Sequence, residues 1–167
     1  MRAWNVHLLL VVAIAVAASI APATFGADTP DPLAPVAPLE GGTWTGEGAW
    51  PDGSPLKVEV HYFWGPTKHV LHFDTYDLSG DTRQLIYEGI IFYDPSNAKL
   101  MEYNFKPSGD VDRFELINAN QKGFEMLGNL TRSAVHYVGP DEFEWKLHVQ
   151  KDGKWNQILD ARYHRTR

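Results

Sequence analysis

The punctuation of this sequence constrains its fold more than any other feature. After Glu40, groups of turn-forming residues recur at short, nearly regular intervals: Pro51-Asp52-Gly53-Ser54, Gly65-Pro66, Ser79-Gly80-Asp81, Asp94-Pro95-Ser96-Asn97, Pro107-Ser108-Gly109-Asp110, Gly139-Pro140-Asp141 and Lys151-Asp152-Gly153. Gly supplies positive φ, Pro pre-sets the first turn position, and Asp, Asn or Ser bonds the backbone two residues on. Between these groups lie brief runs rich in Val, Ile, Tyr, Phe, Trp and Thr, which fit a pleated surface. Helical periodicity is absent. The spacing predicts ten strands: Thr43–Trp50, Leu56–Trp64, His69–Asp77, Arg83–Tyr93, Lys99–Lys106, Val111–Ile117, Gly123–Gly128, Thr131–Val138, Glu142–Gln150 and Lys154–His164.

Connections this short force sequential strands to pair antiparallel. An open sheet of ten such strands leaves two unpaired edges, whereas closing it removes both. The expected fold is therefore all-β, a single up-and-down antiparallel β-barrel of about ten strands over residues 40–167. A two-sheet sandwich is the runner-up, but it calls for longer crossovers, and none is visible. The length of 167 residues fits one domain, and 44% hydrophobic content supplies a core. Phe143, Trp145, Leu147 and Val149 alternate with Glu144, Lys146 and His148, the mark of one dry face and one wet face. Arg83–Tyr93 is apolar on both faces, so its outer face calls for cover, either by the Pro-rich segment described next or by a second copy in a homodimer.

Residues 1–27 read as a signal peptide: a polar start with Arg2, an apolar run from Leu8 to Ile20, then small residues suited to a signal peptidase. The run is shorter than the roughly 20 residues of a spanning helix, so cleavage between Ala23 and Asp28, a periplasmic or secreted location and no stable membrane span after processing are expected. Residues 28–39 alternate Pro with Asp, Leu, Val and Ala, which reads as an extended, solvated polyproline spacer. The formal charge of −6 and the absence of a Lys/Arg cluster argue against nucleic acid as a partner. With no cysteine, disulfides, thiolate nucleophiles and Cys-based metal centres are excluded.

Gly42-Thr43-Trp44 at the first strand and Ala161-Arg162-Tyr163-His164-Arg165 at the last resemble the G-x-W and terminal-Arg signature of lipocalins and other calycins. The resemblance implies that Trp44 plugs one barrel end beneath an arginine, with Gly42, Trp44 and Arg162 as the structural signature. The longer string Gly42-Thr43-Trp44-Thr45-Gly46-Glu47-Gly48, with Phe92-Tyr93-Asp94-Pro95 and Lys151-Asp152-Gly153-Lys154-Trp155, is similar to an uncharacterised bacterial lipocalin-like family and, more distantly, to nitrobindin-like haem carriers. The resemblance spans roughly residues 40 to 165. Haem carriers of that kind use an axial His on the last strand. Here Gln157-Ile158-Leu159 occupies that region and His164 lies late, so haem, and with it any cofactor, is not expected.

No G-x-S-x-G elbow, H-E-x-x-H helix, Walker loop or dinucleotide fingerprint is present. His69 and His72 are spaced so that a strand sends them to opposite faces, and no metal site is expected. A turn pairing Trp64 with Lys68 would bring His61 and His69 to one face, but a one-residue slip dissolves that pair. His72 with Asp74, and His61 with Glu59, share strand faces and are the only acid–base candidates, competing with a plain solvated face. The aromatics Tyr62, Trp64, Phe73, Tyr103, Phe105 and Trp145 are the candidate ligand-binding set, with Trp50 and Trp155 beside them. They either line a void or fill a solid core. Three functions remain open: binding a small hydrophobic or amphipathic molecule in the barrel, an isomerase or cyclase with an inward His/carboxylate pair, and a solid-core assembly protein docking through Arg83–Tyr93.

Overall fold

Each turn group ends one strand and starts the next. The computed structural model describes residues 30–166, so the signal-peptide reading of residues 1–27 lies outside the described residues. Ten strands follow one another: β1 Thr43–Ala49, β2 Pro55–Trp64, β3 Val70–Asp77, β4 Gln84–Asp94, β5 Lys99–Phe105, β6 Val111–Asn120, β7 Gly123–Leu127, β8 Thr131–Gly139, β9 Glu142–Lys151 and β10 Lys154–Thr166. Each pairs antiparallel with its sequence neighbours, and β10 returns to β1 through pairs running from Thr43↔Thr166 to Ala49↔Asp160. The sheet is closed, as expected, with no free edge. At the tips of the turns, Asp52 and Asp94 each accept a hydrogen bond from the N–H two residues on, at 2.9 Å. The hydroxyls of Ser54 and Ser96, which donate to the same carboxylates at 2.6 and 2.7 Å, and then these backbone bonds hold both carboxyls below their ordinary range.

Side chains alternate inward and outward along every strand. Val58, Val60, Leu71, Phe73, Ile91, Leu116, Phe124, Val135, Phe143, Leu159, Ala161 and Tyr163 form the buried interior. Two glycines let bulky rings cross it. A Cβ on Gly89 would lie 2.1 Å from the Phe73 ring, and one on Gly46 would lie 2.5 Å from the Tyr163 ring. Both glycines are therefore packing positions rather than hinges. A bulge between Thr75 and Tyr76 shifts β4 by one residue, so Leu85 pairs with outward Tyr76 while Tyr87 and Ile91 face in. That bulge turns Leu85 outward, while Ile90 and Phe92 face out by the ordinary alternation of the strand.

One end of the barrel is plugged. The segment before β1 carries a 3-10 turn, Ala37–Leu39, and buries Leu33, Val36 and Leu39 completely. The expected extended, solvated spacer is corrected here: the three apolar side chains recur every third residue, the 3-10 repeat, and together cover the barrel end. Tyr137 donates its hydroxyl hydrogen to the Pro35 carbonyl at 2.8 Å, and Trp44 donates its indole N–H to the Leu39 carbonyl at 2.8 Å. The segment thus does not cover the outer face of β4, where Ile90 and Phe92 lie beside Tyr103 and Met101.

The arginine over Trp44 is Arg165, not Arg162. Its guanidinium carbon sits 4.4 Å from the Trp44 ring centre, and its Nη1 and Nη2 groups donate to the carbonyls of Pro38, Glu40, Gly41 and Pro140. Arg162 is one of the alternate residues that face out, and it pairs with Glu142 at 3.2 Å and Glu144 at 2.8 Å. Register decides the difference: Arg165 is the partner of Trp44 across the β1–β10 seam, and Arg162 is the partner of Glu47. Among the described residues no helix is long and apolar enough to cross a membrane.

Candidate functional site

The barrel interior is not solid. A cavity of about 250 Å³ runs from Phe143 and Tyr163, above the plug, to Asp112 and Thr131 beside the turns at the opposite end. Its walls are mostly apolar and aromatic, with Phe73, Ile91, Phe114, Phe124, Val135 and Trp145 on six different strands. Stacked Phe143 and Tyr163, 4.5 Å between ring centres, form the floor over Trp44.

Polar groups enter this space from a few strands. Glu102 and Asn104 project from β5, Asp112 from β6, Thr75 from β3 and Ser133 from β8, with the phenols of Tyr62, Tyr87 and Tyr163 around them. Glu102 is 6% exposed, and burial pushes its carboxyl up to about 7, with the Asn104 side chain pulling the other way. The Asn104 Oδ1 atom is buried and has no hydrogen-bond partner. Asp112 sits at the mouth and pairs with Lys106 at 2.8 Å. Burial also raises the phenols, Tyr87 to about 12 and Tyr62 and Tyr163 well above the ordinary tyrosine value, so all stay protonated in neutral solution. Among the described residues, none that lines the cavity is Lys, Arg or His.

No family profile and no curated protein matches the chain. Among solved structures it is similar to a de novo designed fluorescence-activating β-barrel at 15% identity and TM-score 0.42, covering 78% of this chain and 97% of that one. It is also similar to EF1p2_mFAP2b bound to DFHBI, at 14% identity and TM-score 0.39, covering 80% and 99%. The S-type phycobiliprotein lyase of Guillardia theta matches at 6% identity and TM-score 0.43, covering 77% and 89%. At these scores the likeness adds nothing to the topology that strand pairing already shows.

The aromatic candidates divide by strand parity. Tyr62, Phe73 and Trp145 line the cavity. Trp64 packs against the core nearer the plug, outside the cavity. Tyr103 and Phe105 face out, Tyr103 edge-on to Phe92 and Phe105 40% exposed. Trp155 is likewise on the surface. For Tyr103 and Phe105 the cause lies in β5 itself. β5 has its polar residues Glu102 and Asn104 inside and its aromatics outside, the reverse of what a hydrophobic pattern selects.

Both acid–base candidates are corrected too. His72 and Asp74 share a face, but it is the outer wall, where the His72 ring stacks on Phe63 at 5.3 Å and Asp74 opposes His61. His61 and Glu59 do meet, at 3.0 Å, yet also outside, where Arg83 reaches Glu59 at 2.8 Å. Neither pair enters the cavity, so the enzyme built on an inward His/carboxylate pair loses its machinery. The His61–His69 arrangement fails as well: Trp64 pairs with Leu71, which leaves His69 in the exposed turn. Among the described residues no three His, Asp or Glu side chains gather to hold a metal ion. The cavity residues that sequence reasoning missed include its polar groups Thr75, Glu102, Asn104, Asp112 and Ser133; the one signal, a Glu and an Asn at strand spacing inside a run otherwise apolar, Leu100 to Phe105, points only to Glu102 and Asn104.

Proposed function

We propose that this chain is an exported protein that binds a small amphipathic molecule inside its barrel. The observation that carries the reading is the cavity itself. An interior designed only for stability packs to near-crystalline density, and a void of about 250 Å³ forfeits those contacts. Apolar walls with a few convergent polar groups are the usual composition of a small-molecule pocket. The plug of Trp44, Leu39 and Arg165 closes one end, so a ligand enters past Asp112 and Thr131.

Native mass spectrometry of the chain purified from its own host tests this reading. The expected result is an added small-molecule mass that disappears on denaturation and is missing from Ser133→Phe, in which a ring fills the cavity. An adduct that survives in Ser133→Phe places the ligand elsewhere and overturns it. Export rests on the apolar run Leu8–Ile20 and the small residues after it. Sequencing the N-terminus of the protein recovered outside the cytoplasm should find a start between Ala23 and Asp28.

A further inference from the structure

We infer that the barrel selects a cationic amphiphile, a compact aromatic or alicyclic amine whose ammonium lies against Glu102 and Asn104; this rests on the cavity-binding reading above. Three observations converge on it. First, among the described residues the charged side chains at the cavity are Glu102, deep inside, and Asp112, at the mouth, with no basic residue in the lining. Asp112 already has Lys106 at 2.8 Å, which leaves Glu102 as the carboxylate without a cation. Second, Asn104 Oδ1, two residues from Glu102 on the same strand face, is a buried acceptor without a donor. An ammonium group has three donors and satisfies both side chains; a carboxylate has none and meets repulsion from Glu102.

Third, the walls are rich in π faces. Tyr62, Phe73, Phe114, Phe143, Trp145 and Tyr163 surround the same space, and aromatic faces attract a cation stripped of its water. Ion pairing with Glu102 and these faces together offset the cost of desolvating the ammonium. The space also limits size. A cavity of roughly 150 Å³ admits benzene, so about 250 Å³ admits a bicyclic ring with a short amine arm.

The charge of Glu102 makes the preference pH-dependent. The other titratable groups facing it across the cavity are Tyr62 from β2, Tyr87 from β4, Asp112 from β6 and Tyr163 from β10. Burial holds the Glu102 carboxyl near 7, so lowering the pH below that value removes the anion that the amine needs.

Isothermal titration of the full chain with tryptamine, indole and indole-3-acetate separates charge from shape, because the three share one ring. At pH 8 tryptamine should bind about tenfold or more tightly than indole, with indole-3-acetate weakest. Tryptamine affinity should fall roughly tenfold or more between pH 8 and pH 5.5. In Glu102→Gln the tryptamine advantage and its pH dependence should vanish while indole binding stays, which also shows that the variant folds. Equal binding of tryptamine and indole, or tighter binding of the acetate, overturns the charge inference and leaves the cavity reading standing. A preference for tryptamine that survives in Glu102→Gln overturns it as well. Failure of all three to bind overturns this inference together with the cavity reading for ligands of this size.

Discussion

Burial holds the Glu102 carboxyl at about 7, against 4.5 for an ordinary glutamate, and that difference ties the stability of the empty barrel to pH. Because the folded value is raised, the contribution is fully present below pH 4.5 and is lost as the pH rises through 7. The gap corresponds to about 3 kcal/mol above pH 7. Glu102→Gln should therefore match the parent protein at pH 4 and exceed it by up to about 3 kcal/mol at pH 8 in urea unfolding. Equal stability at pH 8 would show that the carboxyl is solvated. A second position is fixed by contact alone. The Phe73 ring occupies the space of a Gly89 side chain, so Gly89→Ala should cost about 1–3 kcal/mol, and Phe73→Leu should restore much of it in the double variant. Purely additive losses in that thermodynamic cycle would contradict the contact. Neither position was legible in the sequence as a site. Only the register places Glu102 inside the barrel and Gly89 opposite Phe73.

At the scale of elements, the ten strands and their turns were legible to within a few residues. Turn chemistry is local, and it fixes where a strand must stop whatever packs around it. Strand orientation is not local. β5 carries Met101, Tyr103 and Phe105 on one face and Glu102 and Asn104 on the other, and a hydrophobic pattern alone turns the wrong face inward. The segment before β1 was misread because Pro-rich composition hid the every-third-residue spacing of Leu33, Val36 and Leu39. Its folded state has measurable consequences. Leu39 is 1% exposed, so Leu39→Ala should cost about 2–5 kcal/mol. Tyr137→Phe, which removes the hydrogen bond to Pro35, should cost about 1 kcal/mol. A solvated spacer would leave both variants within about 0.5 kcal/mol of the parent in denaturant unfolding.

For the whole molecule, closure of the barrel joins strands that are remote in the chain. Thr166 donates its hydroxyl hydrogen to the Thr43 carbonyl across 123 residues, while every other strand pair is a sequence neighbour. Loop-closure entropy makes the long-range seam the costliest contact to form early, whereas hairpins such as β8–β9 close over short turns. The seam should therefore form after the folding transition state. Ala161, buried on β10 opposite Gly48, reports on closure; Val135, paired with Trp145 across the β8–β9 hairpin, reports on a local contact. In stopped-flow chevrons, Ala161→Gly should mainly speed unfolding, and Val135→Ala should mainly slow folding. The same ordering bears on aggregation. Before closure, β1 and β10 each expose an unpaired edge, and an intermediate with two free edges is the species most able to pair with another chain. If Ala161→Gly slows folding as much as Val135→Ala does, closure belongs to the nucleus instead, and the open-sheet intermediate has no place on the folding route.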